Sequence, residues 1–239
     1  GLLYPEDSPL RSGTIDVKYM TAKEEDILTS ANLIQQGVVV DRLLESVIAN
    51  SKIKLNDMLV GDKNALMIGT RILGYGKEYW TNITDPDTKE KVEHCVDLTS
   101  LKHKKVDSKL MENGNNFEFE LPNSKRVIEF KLLTHKDEKD FNAEMKSYEK
   151  AEELTGISMN LTTRLKYQIV SIDGDTNKKT INNFIDNEFL ALDSRAFRAH
   201  YDKVNPDIEL KFDYTSQTGN LHTIDVPLGT EFFWPAARE

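Results

Sequence analysis

Asp173, Asp175 and Asn177, at alternate positions of the run DGDTNKK, are the residue types that open an oxygen-ligated calcium loop. Such a loop also needs a glycine at its sixth position and a bidentate acid at its twelfth. Those positions hold Lys178 and Phe184, so the cage cannot close and a turn with acidic side chains is expected. His94 and Cys95 are the imidazole and thiol of a nucleophilic pair. Neighbours on a strand point to opposite faces, however, so the expectation is a half-buried Cys95 with His94 outside. Gly69 and Gly74 have the spacing of a phosphate loop, but Tyr75 and Gly76 follow where Lys and Ser or Thr are needed. Gly69 also falls inside a helical pattern, where a close helix contact is the expectation. Arg195, Arg198, His200 and Tyr201 form either an anion clamp or the polar face of a helix tied to Asp202 or Asp207, and the second is expected. His103, His135, His200 and His222 have no metal-like spacing. A metal-dependent hydrolase working through Asp173 and Asp175, or through the His94 region, is the enzymatic alternative. No catalytic constellation emerges, so the expectation is a protein that is not an enzyme and carries no cofactor.

Composition narrows the class further. The 239 residues are enough to bury a real core. A formal net charge of −9 opposes sequence-independent nucleic-acid binding, which needs a basic face. His103, Lys104 and Lys105 sit beside acids and read as solvated surface. The single cysteine, Cys95, rules out an intrachain disulfide and a cysteine-rich metal site. No apolar run reaches membrane-spanning length and no signal-peptide pattern opens the chain. A reducing cytoplasm is the expected compartment, and an opening Gly1 rather than Met leads one to expect a trimmed start.

These residues need elements to position them. LLYPEDSPL (2–10) reads as an extended arm, and 13–20 alternates as a strand with Ile15, Val17 and Tyr19 on one side. Thr21 and Glu24 have capping-box spacing for a helix through residue 34, which Gly37 stops. Asp41 can cap a helix over 42–49, and Asp62 precedes a third, ended by Gly74 and Gly76 and buried by Ala65, Leu66, Ile68, Ile72 and Leu73. Turn formers in TDPDTKE and PNSK make hairpins of 78–98 and 116–133. A highly charged helix then starts near Lys136. Residues 161–172 are ambiguous between helix and strand. A helix of about twenty residues through 184–201 ends before Pro206, and 208–226 form a last hairpin around TSQTGN. The predicted fold is α+β: a helical cluster with several antiparallel β-hairpins, two of them similar modules. The division expected is 1–110 (arm, helical cluster, first hairpin) and 111–239 (central hairpin, charged helix, long helix, C-terminal hairpin), or one continuous domain.

Two apolar features sit oddly in so polar a chain. The charged helix has a narrow stripe, Phe141, Met145 and Tyr148, which suits docking along one seam. Near the C-terminus, GTEFFWPAARE sets Phe232, Phe233 and Trp234 in a row. Alternation would put Phe232 and Trp234 on one face and Phe233 on the other, so both faces need cover. Mainly self-burial is expected, with a partner chain as the alternative cover. These six residues are the candidate partner-binding set.

MTAKEEDILTS (20–30), GDKNALMIGTRILGYGKEY (61–79), DSRAFRAHYDKVNPDIELKF (193–212) and above all VPLGTEFFWP (226–235) are similar to the baseplate hub and hub-assembly proteins of T-even-like contractile-tailed bacteriophages. The matching stretches run through nearly the whole chain. The resemblance implies a structural or assembly role in the baseplate's central hub, exercised by recognition without catalysis. A transient assembly chaperone, absent from the mature virion, is the alternative. Implied partners are other baseplate or hub proteins, with an oligomer left open and neither nucleic acid nor membrane involved. The implied location is the host cytoplasm during assembly and then the virion tail baseplate. Many members of that family carry Cys-x-x-Cys pairs in two hairpins, suited to zinc. The corresponding turns here, 82–87 and 214–219, have no cysteine; Tyr214 and Gln217 stand where ligands would be. The resemblance therefore implies turns held by packing and hydrogen bonds alone.

Overall fold

The computed structural model describes residues 1–228, 232 and 233. In chain order the elements are α1 (Ala22–Leu28), α2 (Ala31–Gln35), α3 (Val39–Val47), α4 (Val60–Tyr75), β1 (Glu78–Thr84), β2 (Lys91–Asp97), β3 (Lys102–His103), β4 (Phe117–Glu120), β5 (Val127–Phe130), α5 (His135–Thr155), α6 (Asn160–Gln168), β6 (Ile169–Ile172), α7 (Lys178–Asn187), α8 (Ala191–Val204), β7 (Ile208–Glu209), β8 (Lys211–Thr215) and β9 (Leu221–Asp225). The fold is α+β, with every strand pairing antiparallel. Contacts group the chain into two compact units, interleaved rather than sequential. One takes residues 1–14, 52–60 and 105–206; the other takes 15–51, 61–104 and 207–239.

In the second unit, short helices meet two hairpins. Glu24 and Thr21 close the expected capping box on α1. The single helix expected over 22–34 is instead two. Thr29 turns its hydroxyl onto Glu25 O at 2.9 Å, and Ser30 is extended, so one helix ends and the next starts after it. The expected strand at 13–20 reduces to one bridge, Val17 with Ile48, and Tyr19 is exposed. Leu43, Leu44 and Val47 of α3 are fully buried. Along α4, Leu66, Ile68 and Arg71 turn inward, whereas Leu73, expected inside, is exposed. A Cβ on Gly69 would meet nothing, so the close contact expected there is absent. It occurs one turn later, where a Cβ on Gly74 would lie 2.7 Å from Met20 Sδ.

The hairpins are those read from the turn chemistry. Strand β1 alternates strictly, Tyr79, Thr81 and Ile83 inward and Trp80 outward. It pairs with β2 from Glu78 opposite Asp97 to Thr84 opposite Lys91. Strand β8 pairs with β9 from Lys211 opposite Asp225 to Thr215 opposite Leu221. The buried faces of both hairpins, with α3 and α4, form one apolar cluster that includes Tyr79, Val96, Phe212, Val226, Phe232 and Phe233.

The first unit is built on the sheet β4-β5-β6. Phe130, Phe197 and Ile128 are completely buried there, with Phe130 edge-on to Phe197 at 5.1 Å. The ambiguous stretch 161–172 is both things in succession: α6 ends at Gln168, and the β-branched run beginning at Ile169 becomes β6. The twenty-residue helix is split as well. Phe189 folds back to stack on Phe184 at 5.1 Å, and extended Leu190 restarts the chain as α8. Asp193, in the first turn of α8, is fully buried and accepts from Asn123 N, Asn123 Nδ2 and Ser124 N at 2.8–3.0 Å. Burial alone would raise its pKa, but these donors outweigh it and the net shift is downward. The arm expected to be extended is instead wound into turns. Arg11 Nη1 donates to Leu2 O and Tyr4 O, while Leu3, Tyr4 and Leu10 are buried.

Candidate functional site

The turns 82–87 and 214–219, far apart in sequence, meet tip to tip through two aspartates. Asp85 is fully buried. Its Oδ1 accepts from Asp87 N and Thr88 N, shaping its own turn. Its Oδ2 accepts from Tyr214 OH and Gln217 N, each at 2.9 Å, on the other hairpin. The backbone donors of Thr88, Gln217 and Asp87, with the Tyr214 hydroxyl, pull its carboxyl down to about 2 against the cost of burial. Asp87 Oδ2 accepts from Ser216 Oγ at 2.6 Å, Thr218 Oγ1 and Asn220 Nδ2 at 3.0 Å. His222 Nε2 lies 3.0 Å from Asp87 Oδ1, an ion pair whenever the imidazole is protonated. The hydroxyls of Ser216 and Thr218 lead the causes that hold the Asp87 carboxyl well below the usual carboxylate range. Burial, then the neighbouring Asp85, pushes the Tyr214 phenol up. Tyr214 and Gln217 stand where the family resemblance would put ligands; in the sequence Asp85 and Asp87 read only as turn formers. Their signal was the Asp-Pro-Asp spacing, which names a turn and not what the turn will grip.

The aromatic end closes the same unit. Phe232 and Phe233 are 1% and 4% exposed and stand edge-on at 4.9 Å. Phe232 also packs edge-on against Tyr79 at 5.1 Å, and Tyr79 OH donates to Pro227 O at 2.6 Å. Behind Tyr79 lies Arg71, 2% exposed, with its guanidinium 5.3 and 5.9 Å from the Tyr75 and Tyr79 ring centres. Arg71 donates to Gly76 O and Glu78 O, bracing the turn from α4 into β1. Trp234, the third member of the aromatic run, lies outside the described residues.

The seam residues of α5 belong to the first unit. Phe141 is 2% exposed, with Arg164 stacked 4.2 Å above its ring and itself held bidentate by Glu138. Met145 and Tyr148 are half-buried. Glu144 accepts from both Tyr148 OH at 2.8 Å and Tyr167 OH at 3.0 Å. Burial and that bond push the Tyr167 phenol up to about 12. The seam thus lies against α6.

The remaining candidates serve the fold. Asp173 accepts from Val127 N and Arg126 Nε, Asp175 from Asn177 N, and Asn177 caps α7 through Lys179 N, so the calcium-like run is a turn and a helix cap. His94, expected outside, faces inward: its ring stacks on Phe212 at 5.2 Å and meets Tyr214 edge-on at 5.3 Å, and burial lowers its pKa. Alternation explains this, since Val92, His94 and Val96 share the covered face of β2. Cys95 is half-buried. Arg195 and Arg198 are exposed on α8, while His200 stacks on Phe119 at 4.5 Å and Tyr201 OH accepts from Leu133 N.

Zinc of the kind that the Cys pairs of similar proteins suit does not fit the hairpin tips. Their donors are carboxylates, hydroxyls and amides already engaged with one another, and no thiolate is among them. Among the described residues no group of three or more His, Cys, Asp or Glu is placed to hold a metal ion. Also among them, no helix is long and apolar enough to cross a membrane.

The class these features define is an α+β protein whose polar and aromatic clusters join its own elements. The chain belongs to the family of the T4 bacteriophage base plate protein, whose family pattern matches residues 5–234. No curated protein and no solved structure matches it.

Proposed function

We propose that this chain is a structural component of the central hub of a contractile-tail baseplate, acting by protein–protein recognition without catalysis. The observation that carries the reading is the family match, which spans residues 5–234 and so includes both units. The engagement of the candidate chemical residues in turns, caps and stacks supports it. On this reading the Asp85 and Asp87 clasp and the Phe232 and Phe233 closure make one unit a stiff block, suited to a fixed place in an assembly. Phe141, Met145 and Tyr148 contribute by stiffening α5 against α6, with the half-buried Met145 and Tyr148 at the edge open to a partner. Trp234 is kept, with Phe232 and Phe233, as a candidate partner-binding residue. The chain would be made in the host cytoplasm and retained in the virion.

Electron microscopy of tails from infections lacking this chain tests the role. Missing or malformed baseplates are expected; normal tails would overturn it. A chain required for assembly yet absent from purified tails would instead identify a transient assembly chaperone.

A further inference from the structure

Leu154, Ile157, Met159 and Leu161 are 88%, 67%, 44% and 42% exposed, and all four fall within eight residues at the turn from α5 to α6. Large apolar side chains scattered singly over a surface need no explanation, but four exposed within one short turn do. The turn is also shaped in advance. Gly156 takes a left-handed φ of 67° and donates its N–H to Glu152 O. Glu152 Oε1 accepts from Ser158 Oγ at 3.1 Å and Met159 N at 3.0 Å, and Asn160 N donates to Ser158 Oγ. The apolar side chains are therefore presented on a hydrogen-bonded scaffold, and docking need not first order a loose loop.

Charge decides what can cover them. The last turns of α5 carry Glu149, Glu152 and Glu153 against Lys150, and the carbonyl end of the helix adds partial negative charge at the same place. A second copy of this chain is a poor match, because its own net charge is −9. We infer that the α5–α6 turn is a docking knob whose occupant is an apolar socket rimmed by lysine or arginine on a different baseplate subunit. The inference rests on the baseplate role proposed above and specifies one surface that performs it. Apolar burial supplies the affinity, and the acidic rim steers the approach and excludes acidic surfaces.

The test is an in vitro complementation. Tail-assembly extract from an infection lacking the chain is supplied with purified full-length protein, and completed tails are counted. Leu154→Glu with Ile157→Glu is compared with Leu192→Glu, which alters another exposed apolar residue, 65% exposed on α8. Circular dichroism establishes that each variant folds, which the exposure of all three positions leads one to expect. The knob variant should lose at least about tenfold in tail yield, as expected for an interface hot spot, while Leu192→Glu stays near wild type. A photocrosslinker at position 157 should yield an adduct with one other baseplate protein, at a site flanked by Lys or Arg. A knob variant that complements like wild type, or an adduct between two copies of this chain, would overturn the inference and leave the baseplate role standing. Normal tails formed without any added protein would overturn the role itself, and the knob with it.

Discussion

The two clasp aspartates show how much a single side chain can decide. Asp85 has its carboxyl drawn down to about 2 from an ordinary value near 3.8, and Asp87 shifts the same way. A folded-state pKa below the unfolded one means stability that is present above the unfolded value and lost as pH falls towards the folded one. The melting temperature should therefore drop as pH is lowered from about 4 towards 2. Asp85→Asn should be less stable than wild type at pH 7, with the gap closing across that same window; a gap that stays constant with pH would refute the linkage. At the other end of the chain, Phe232→Ala should cost about 3–5 kcal/mol in denaturant unfolding, the range for a fully buried aromatic. Asp193→Ala leaves its turn donors without their acceptor and should cost roughly 1–3 kcal/mol. None of these magnitudes was legible from residue type alone. Asp85 is one of many acids in the chain, and what distinguishes it is a partner strand more than a hundred residues away.

Elements were more legible, because their signals are local. Strict alternation in β1, the turn chemistry of both hairpins and the Thr21–Glu24 capping box all appear where the sequence puts them. The helix and arm boundaries fail where local side-chain contacts override the period. Thr29 and Ser30 cut one helix in two, Phe189 folds back and cuts another, and Ser8 and Arg11 wind the expected arm into turns. Periodicity does not report such contacts. Gly69 gives a clean element-scale test. It sits within α4 with open space around its would-be Cβ, so Gly69→Ala should stabilise by roughly 0.5–1 kcal/mol. Thermal melting should rise by a few degrees at most, about 2–4 °C per kcal/mol for chains of this size. A fall would mean that a side chain at 69 meets a neighbour, against the open space around it.

At the scale of the whole molecule, the chain crosses between its two units at 14/15, 51/52, 60/61, 104/105 and 206/207. Long-range pairing, which a linear reading cannot weigh, brings the last hairpin to the first. A fragment of residues 1–110 contains part of each unit, lacks β7, β8 and β9, and should show no cooperative unfolding; a sharp transition in that fragment would contradict the interleaving. The family was legible in a different way, through a few stretches such as VPLGTEFFWP, while Tyr79, which packs on Phe232, and Arg71 behind it emerge only from the packing. On the proposed function this chain is a lasting part of the baseplate. Counting its copies in purified tails by quantitative mass spectrometry tests that most directly. A fixed whole number per particle, equal from preparation to preparation, is the expected result; its absence from tails that contain every other baseplate protein would contradict the account.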